Sequence, residues 1–259
     1  MKNSLIVFQY ELANVLRSKW LYVYTALLAI STFGLSYLAD DSRKTQLALV
    51  NILTIIVPLV SILFTTAYWY NSEKFTELLL AQPVSRIRLF WSRILALLCS
   101  LSFCLILGLV LTSYLSGVRD SGLIWLFAAS SITGAIFSLI GALIATKIPD
   151  RMWGIGLSLA CLFYFLIIHD SVLLLILYWF RDYPLELTSS LISGINPIGL
   201  MRVTLLMHYD APLLLGHSGA LVRDLVESGS GFWYSSLIGI CWLLAPLLVA
   251  RRLFIRRDF

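Results

Sequence analysis

The stretch LALVNILTIIVPLVSILFTTAYWY, residues 47–70, runs for 24 residues without a charged side chain. As a helix rising about 1.5 Å per residue it exceeds the roughly 30 Å hydrocarbon layer of a bilayer, where a helix satisfies all of its own backbone groups. Five more long apolar runs stand at Trp20 to Ala39, Leu89 to Gly117, Gly122 to Thr146, Met152 to Phe180 and Gly231 to Ala250, interrupted by charge only at Arg93 and Asp170. They are solidly apolar and do not alternate, which excludes a transmembrane β-barrel. The expected fold is an all-α polytopic membrane protein with six transmembrane helices. Composition agrees: the 259 residues are 59% hydrophobic and 13% charged, about half the charge of a soluble domain, and the mean hydropathy is +0.89. Little chain is left for a separate soluble catalytic domain, so residues 1–259 read as a single transmembrane domain.

The first 19 residues place Leu5, Phe8, Leu12, Val15 and Leu16 on one helical face, with Asn3, Glu11, Asn14 and Arg17 elsewhere. This predicts a helix lying in the membrane interface. A signal peptide fits less well, because Glu11, Arg17 and Lys19 interrupt the apolar stretch it needs. With six spans both termini share one side, and that side, with the second and fourth loops, holds 13 of the 19 Lys and Arg residues. The positive-inside rule then makes both termini cytoplasmic. The same bias accounts for the net charge of +5 without invoking nucleic acid. The segment 181–230 falls outside. Its Leu187 to Met207 portion is too apolar for solvated coil, which predicts short re-entrant helices ending near Asn196-Pro197.

Several kinds of chemistry find no support. The chain has no GxxxxGK[ST] phosphate loop, and none of its five lysines follows a glycine. Any ATP and magnesium must therefore be bound by a partner. Gly216-His217-Ser218-Gly219 has the look of an intramembrane protease serine motif. No histidine follows it to serve as the base, however, so it reads as a Gly/Ser turn in an external loop. Cys99, Cys104, Cys161 and Cys241 lie singly in apolar runs, without the spacing of a disulfide framework or zinc site.

The second loop reads Asn71-Ser72-Glu73-Lys74-Phe75-Thr76-Glu77-Leu78-Leu79-Leu80-Ala81-Gln82-Pro83-Val84-Ser85-Arg86. Acidic residues precede a Leu turn that Pro83 stops, which predicts a short amphipathic cytoplasmic helix over 71–86. Such an element can seat apolar knobs in a groove of a soluble partner, with Glu73, Glu77 and Arg86 setting the register. The stretch resembles the coupling helix of ABC-2 type permeases, with Glu73, Thr76, Leu79, Leu80, Pro83, Ser85, Arg86 and Arg93 in matching positions. Phe75 replaces the family's usual Gly, and Arg93 its usual Lys. The order of interfacial helix, six spans, long fifth external loop and basic Arg-Arg-Asp-Phe terminus extends the resemblance over the entire chain. It implies a non-catalytic subunit that dimerises and couples to a separate ABC ATPase through Glu73, Lys74, Thr76, Glu77, Leu79, Leu80, Pro83 and Arg86. No cofactor is implied for this chain.

The fifth run carries His169-Asp170, and an acid at bilayer depth is expensive. Because 29 residues exceed one span, a helix break with Asp170 capping a second half-helix at the external boundary is favoured over an acid facing an inner cavity. Asn196-Pro197 and Arg202 follow. This arrangement resembles the NosDFY branch of the family, which matures the copper sites of nitrous oxide reductase. That resemblance implies a NosF-like ATPase on the cytoplasmic face and a NosD-like periplasmic β-helical protein on the external face, near Asp170, Asn196, Pro197 and Arg202, in a bacterial inner membrane. Met201, Met207, His208 and His217 are ligand types that suit copper, but they lack a tight repeated spacing and read as helix-face and surface residues. An exporter of a lipid, peptide or drug is the competing function. A secondary transporter would need inverted repeats, and none is evident.

Overall fold

The computed structural model describes residues 2–38, 42–80, 85–115, 122–180, 195–208 and 230–257. Among them every regular element is helical, and six helices are long and apolar enough to cross a membrane. The first span is Lys19–Leu38 and the second lies in Ser42–Asn71. The third begins as Arg86–Ile106, passes through a π-helical turn at Leu107–Leu111 and ends as Thr112–Leu115. The fourth is Gly122–Lys147. The fifth runs from Arg151–Phe163 through a second π turn, Tyr164–Ile168, into His169–Trp179. The sixth lies in Ser230–Arg256. Three shorter helices complete the set: Lys2–Leu16, Glu73–Leu80 and Pro197–His208.

The expected break in the fifth span is absent. The helix widens by one π turn and continues, so Asp170 caps nothing; the cap of this span is Asp150, whose carboxylate accepts from the Trp153 amide at 2.9 Å. Extra length is taken up inside the helix, a common use of π turns. The re-entrant helices expected to end near Asn196-Pro197 fall on residues 181–194, which with 209–229 lie outside the described residues; a helix begins at Pro197.

Burial sorts the spans. The second, third and fourth bury 50–56% of their central residues, and the first, fifth and sixth only 22%. The second, third and fourth spans therefore form the bundle's centre, and the others offer their faces to lipid or to another chain. Lipid tails are as apolar as leucine, so close packing and hydrogen bonds must hold such helices together. The second and fourth spans meet at Gly141, where an added Cβ would lie 2.7 Å from the Ile62 carbonyl oxygen and 2.9 Å from Thr66 Oγ1. Beside this crossing the Thr66 and Ser158 hydroxyls approach to 2.9 Å, stitching the fifth span to the second.

Because backbone stands in the way, Gly141→Val should force these spans apart and cost about 1–3 kcal/mol, the usual range for overpacking. Gly156→Val is the matched control, as nothing lies within 4 Å of its added Cβ. Unfolding midpoints in detergent should fall for the first variant alone, and equal midpoints would show that the spans do not meet this closely.

Candidate functional site

Contacts distant in sequence gather at one end of the bundle, where residues 11, 73–76, 86–93 and 255–257 meet. The second span ends at Asn71, and Ser72 alone joins it to Glu73–Leu80. The Ser72 amide still donates to the Tyr68 carbonyl at 3.0 Å, and the Thr76 amide donates to the Ser72 carbonyl at 2.9 Å. The chain thus turns without losing its backbone bonds.

Thr76 is fully buried under the short helix. Its hydroxyl donates to the Ser72 carbonyl at 2.7 Å and accepts from an Arg93 guanidinium nitrogen at 2.8 Å. The same nitrogen lies 3.2 Å from Glu11 Oε1. The other carboxylate oxygen, Oε2, accepts from the Tyr68 hydroxyl at 2.6 Å, and that hydroxyl accepts from the Asn14 side-chain amide at 3.1 Å. Arg93 also lies over the Trp69 ring at 5.3 Å. Glu11 and Arg93 are 0% and 1% exposed, so the charges are held by partners and not by water, as buried charges must be. One buried cluster therefore ties together the N-terminal helix, the second and third spans and the short helix.

Glu11 corrects the sequence reading of the N-terminal helix. Its fully buried residues are Glu11 and Val15, so a charge lies on the inward face; Val7, Phe8, Leu12 and Leu16 are half-buried. The signal was present in the sequence: Glu11 in an apolar helix and Arg93 inside an apolar run are both costly alone and complementary together.

Two further contacts fasten the short helix. Phe75 stacks on Tyr10, with ring centroids 5.1 Å apart and 23° between planes. The aromatic ring standing where ABC-2 permeases usually carry Gly thus binds the helix to the N-terminal helix. Glu73 pairs with Arg257 at 2.5 Å, while Arg86 donates to the carbonyls of Ile255 at 3.1 Å and Arg257 at 2.7 Å. The sixth span ends on carbonyls that have no helical partner, and the Arg86 guanidinium supplies one.

The residues singled out in the sequence therefore divide. Lys74, Glu77 and Leu78 are exposed, Leu78 by 67%. Leu79 and Leu80 are half-buried against the protein's own core, Thr76 is buried, and Glu73 and Arg86 face the end of the sixth span. Pro83 lies outside the described residues.

The opposite end has its own cluster. Asn196 is 1% exposed; its side-chain oxygen accepts from the Ile198 amide at 3.0 Å, capping Pro197–His208. Its side-chain amide donates to the Phe165 carbonyl at 2.9 Å and to Asp170 Oδ1 at 3.0 Å. Phe165 lies in the π turn, which leaves its carbonyl available across the helix boundary. Pro197 occupies the first helical position, where its missing N–H costs nothing. Asp170 stands 20 residues beyond Asp150, about 30 Å along the helix, the thickness of the hydrocarbon layer. Its carboxylate is 46% exposed and also meets His169 Nδ1 at 3.3 Å. Arg202 is half-buried and does not join this cluster.

Met201 is a core residue, 3% exposed and packed with Leu205 in the main apolar cluster. The side chains of Met207 and His208, and all of His217 and Gly216–Gly219, lie outside the described residues. No group of three or more His, Cys, Asp or Glu side chains able to hold a metal occurs among the described residues.

No protein-family model matches the chain. It is similar to the probable ABC transporter permease protein NosY of Pseudomonas aeruginosa PAO1, 24% identical with 96% of each chain covered. It is also similar to the protein of the same name from Stutzerimonas stutzeri, 26% identical with 95% of this chain and 96% of the relative covered. The likeness to ABC permeases covers 95–96% of the chain, so it is not confined to the second loop.

Proposed function

From this likeness we propose that the chain is the membrane subunit of an ABC transporter, one that transmits ATP-driven force from a separate ATPase across the bacterial inner membrane. The supporting observation is the short helix Glu73–Leu80: Lys74, Glu77 and Leu78 project outward, while the opposite side is fixed by Thr76, Phe75 and Glu73 to three other parts of the chain. An apolar knob between opposite charges is a surface that seats in a groove with a defined register. In this reading the end carrying both termini is cytoplasmic, two copies of the chain pair, and each holds one NosF-like ATPase, which alone binds ATP and magnesium.

When the ATPases close, each pushes on its short helix. Arg93 passes the displacement to the third span and Glu11, and Arg257 passes it to the sixth, so the linked helices move as rigid bodies. At the far end the Asn196 link between the fifth span and Pro197–His208 carries the motion to a NosD-like periplasmic protein gripping that surface. By its NosY likeness the assembly serves copper-site formation in nitrous oxide reductase, with the metal handled by partners.

Purification in mild detergent after co-expression with its ATPase should give an assembly with two copies of each, and the chain alone should hydrolyse no ATP. A lone monomer that hydrolyses ATP would refute the reading. Recovery with the ATPase but never with a β-helical protein would favour the exporter.

A further inference from the structure

In the half of the bundle away from the termini, a cavity of about 270 Å³ opens between the fourth span, the helix Pro197–His208 and the sixth span. Its fourth-span wall runs from Trp125 to Ile136. That is about 11 helical steps, or roughly 16 Å, half of the 30 Å hydrocarbon layer. Leu200 and Met201 form a second wall, and Gly239, Ile240 and Leu243 a third.

The chemistry of the lining is uniform. Apart from Thr133 and Ser236 it is apolar, and the Thr133 hydroxyl already donates to the Ala129 carbonyl at 2.9 Å. A water molecule needs two to four polar partners to settle, so water does not fill it well. The mouth is flanked by Trp125, Ile132 and Ile240, each 43–54% exposed. Within a bilayer those side chains meet hydrocarbon, and the opening faces acyl chains. Its size discriminates further: about 270 Å³ is too small to seat a helix 10–12 Å across over that depth. An apolar slot of this length suits a single flexible hydrocarbon chain.

We propose that this cavity is a lipid site, holding one acyl chain of a phospholipid from the leaflet opposite the termini. The chain fills the gap between Pro197–His208 and the spans beneath it, so lipid is a structural part of the end that carries Asn196. The assignment needs only that the protein spans a bilayer and is independent of its ATPase.

Gly239 gives a clean test, because the nearest atom to its added Cβ is Leu200 Cδ2 at 3.8 Å, so a side chain can grow into the space. The full chain is reconstituted in vesicles of phosphatidylethanolamine and phosphatidylglycerol containing phosphatidylcholine with a mid-chain diazirine. After illumination, adducts are mapped by mass spectrometry. Adducts should concentrate on Ile132, Ile136 and Leu243, exceeding those on the exposed first-span residues Ile30 and Phe33. Gly239→Phe should lower the cavity adducts several-fold and leave the first-span adducts unchanged, which also reports that the variant is folded. Ala128→Leu, filling from the opposite wall, should do the same. Cavity adducts no denser than those on the first span, or unchanged in both filled variants, would overturn the proposal. So would an Ile240→Cys variant that forms a disulfide between two copies, which would mark a dimer contact.

Discussion

Arg93→Ala should lose about 3–5 kcal/mol of stability, the scale on which a buried charge stripped of its partner destabilises a protein. Glu11 is then left with a carboxylate at zero exposure and the Tyr68 hydroxyl as its remaining partner from the cluster, while Thr76 loses the donor that holds the short helix down. Two measurements check this. The unfolding midpoint in detergent should fall sharply, and amide exchange over Glu73–Leu80 should accelerate relative to the centres of the spans. The pair Glu11→Gln with Arg93→Met should recover much of the loss, because removing both charges leaves neither one orphaned. Arg93→Lys keeps the charge but not the planar fork, so it should fall between wild type and alanine. An Arg93→Ala protein as stable as wild type would mean that Glu11 and Arg93 do not meet.

Leu78→Asp should act the other way round, sparing the fold and abolishing the partner contact. Leu78 is 67% exposed, so the change removes no internal packing. Placed against an apolar groove, it should cost 2 kcal/mol or more of binding, about thirtyfold, as for a central anchor of an interface. Leu80→Asp instead puts a charge against the protein's own core and should lower the midpoint. Pull-down of the ATPase and unfolding midpoints on both variants separate the effects. Unchanged ATPase capture by Leu78→Asp would remove this residue from the contact.

The six spans were legible because a bilayer imposes a length and an apolarity that no short motif needs to confirm; the sixth differs only in continuing past Ala250 to Arg256, where arginines no longer read as span. Side-chain direction was less legible. A count of polar residues sends Glu11 to water, and only the meeting with Arg93, 82 positions away, turns it inward. The Leu78-Leu79-Leu80 run marks an apolar turn, but which leucine faces out depends on how Phe75 and Thr76 are anchored. Asp170 shows the same limit: excess length in the fifth run signals an irregularity, but not whether the helix breaks or widens into a π turn, and its bond to Asn196, 26 positions further along, is visible only in the fold.

The fastening of Glu73 and Arg86 to the neighbourhood of Arg257 also fixes an order of events during biosynthesis. These partners are separated by 184 and 171 positions. At about 5–20 residues per second, the ribosome delivers the second loop roughly ten to forty seconds before the residues that hold it. Throughout that interval the short helix has Tyr10 and Glu11 within reach but nothing to pin Glu73. If Glu73–Leu80 is the ATPase-docking helix proposed above, its seat is finished only after the sixth span has been made, and ATPase capture should be weaker for copies in which Arg257 is absent or replaced.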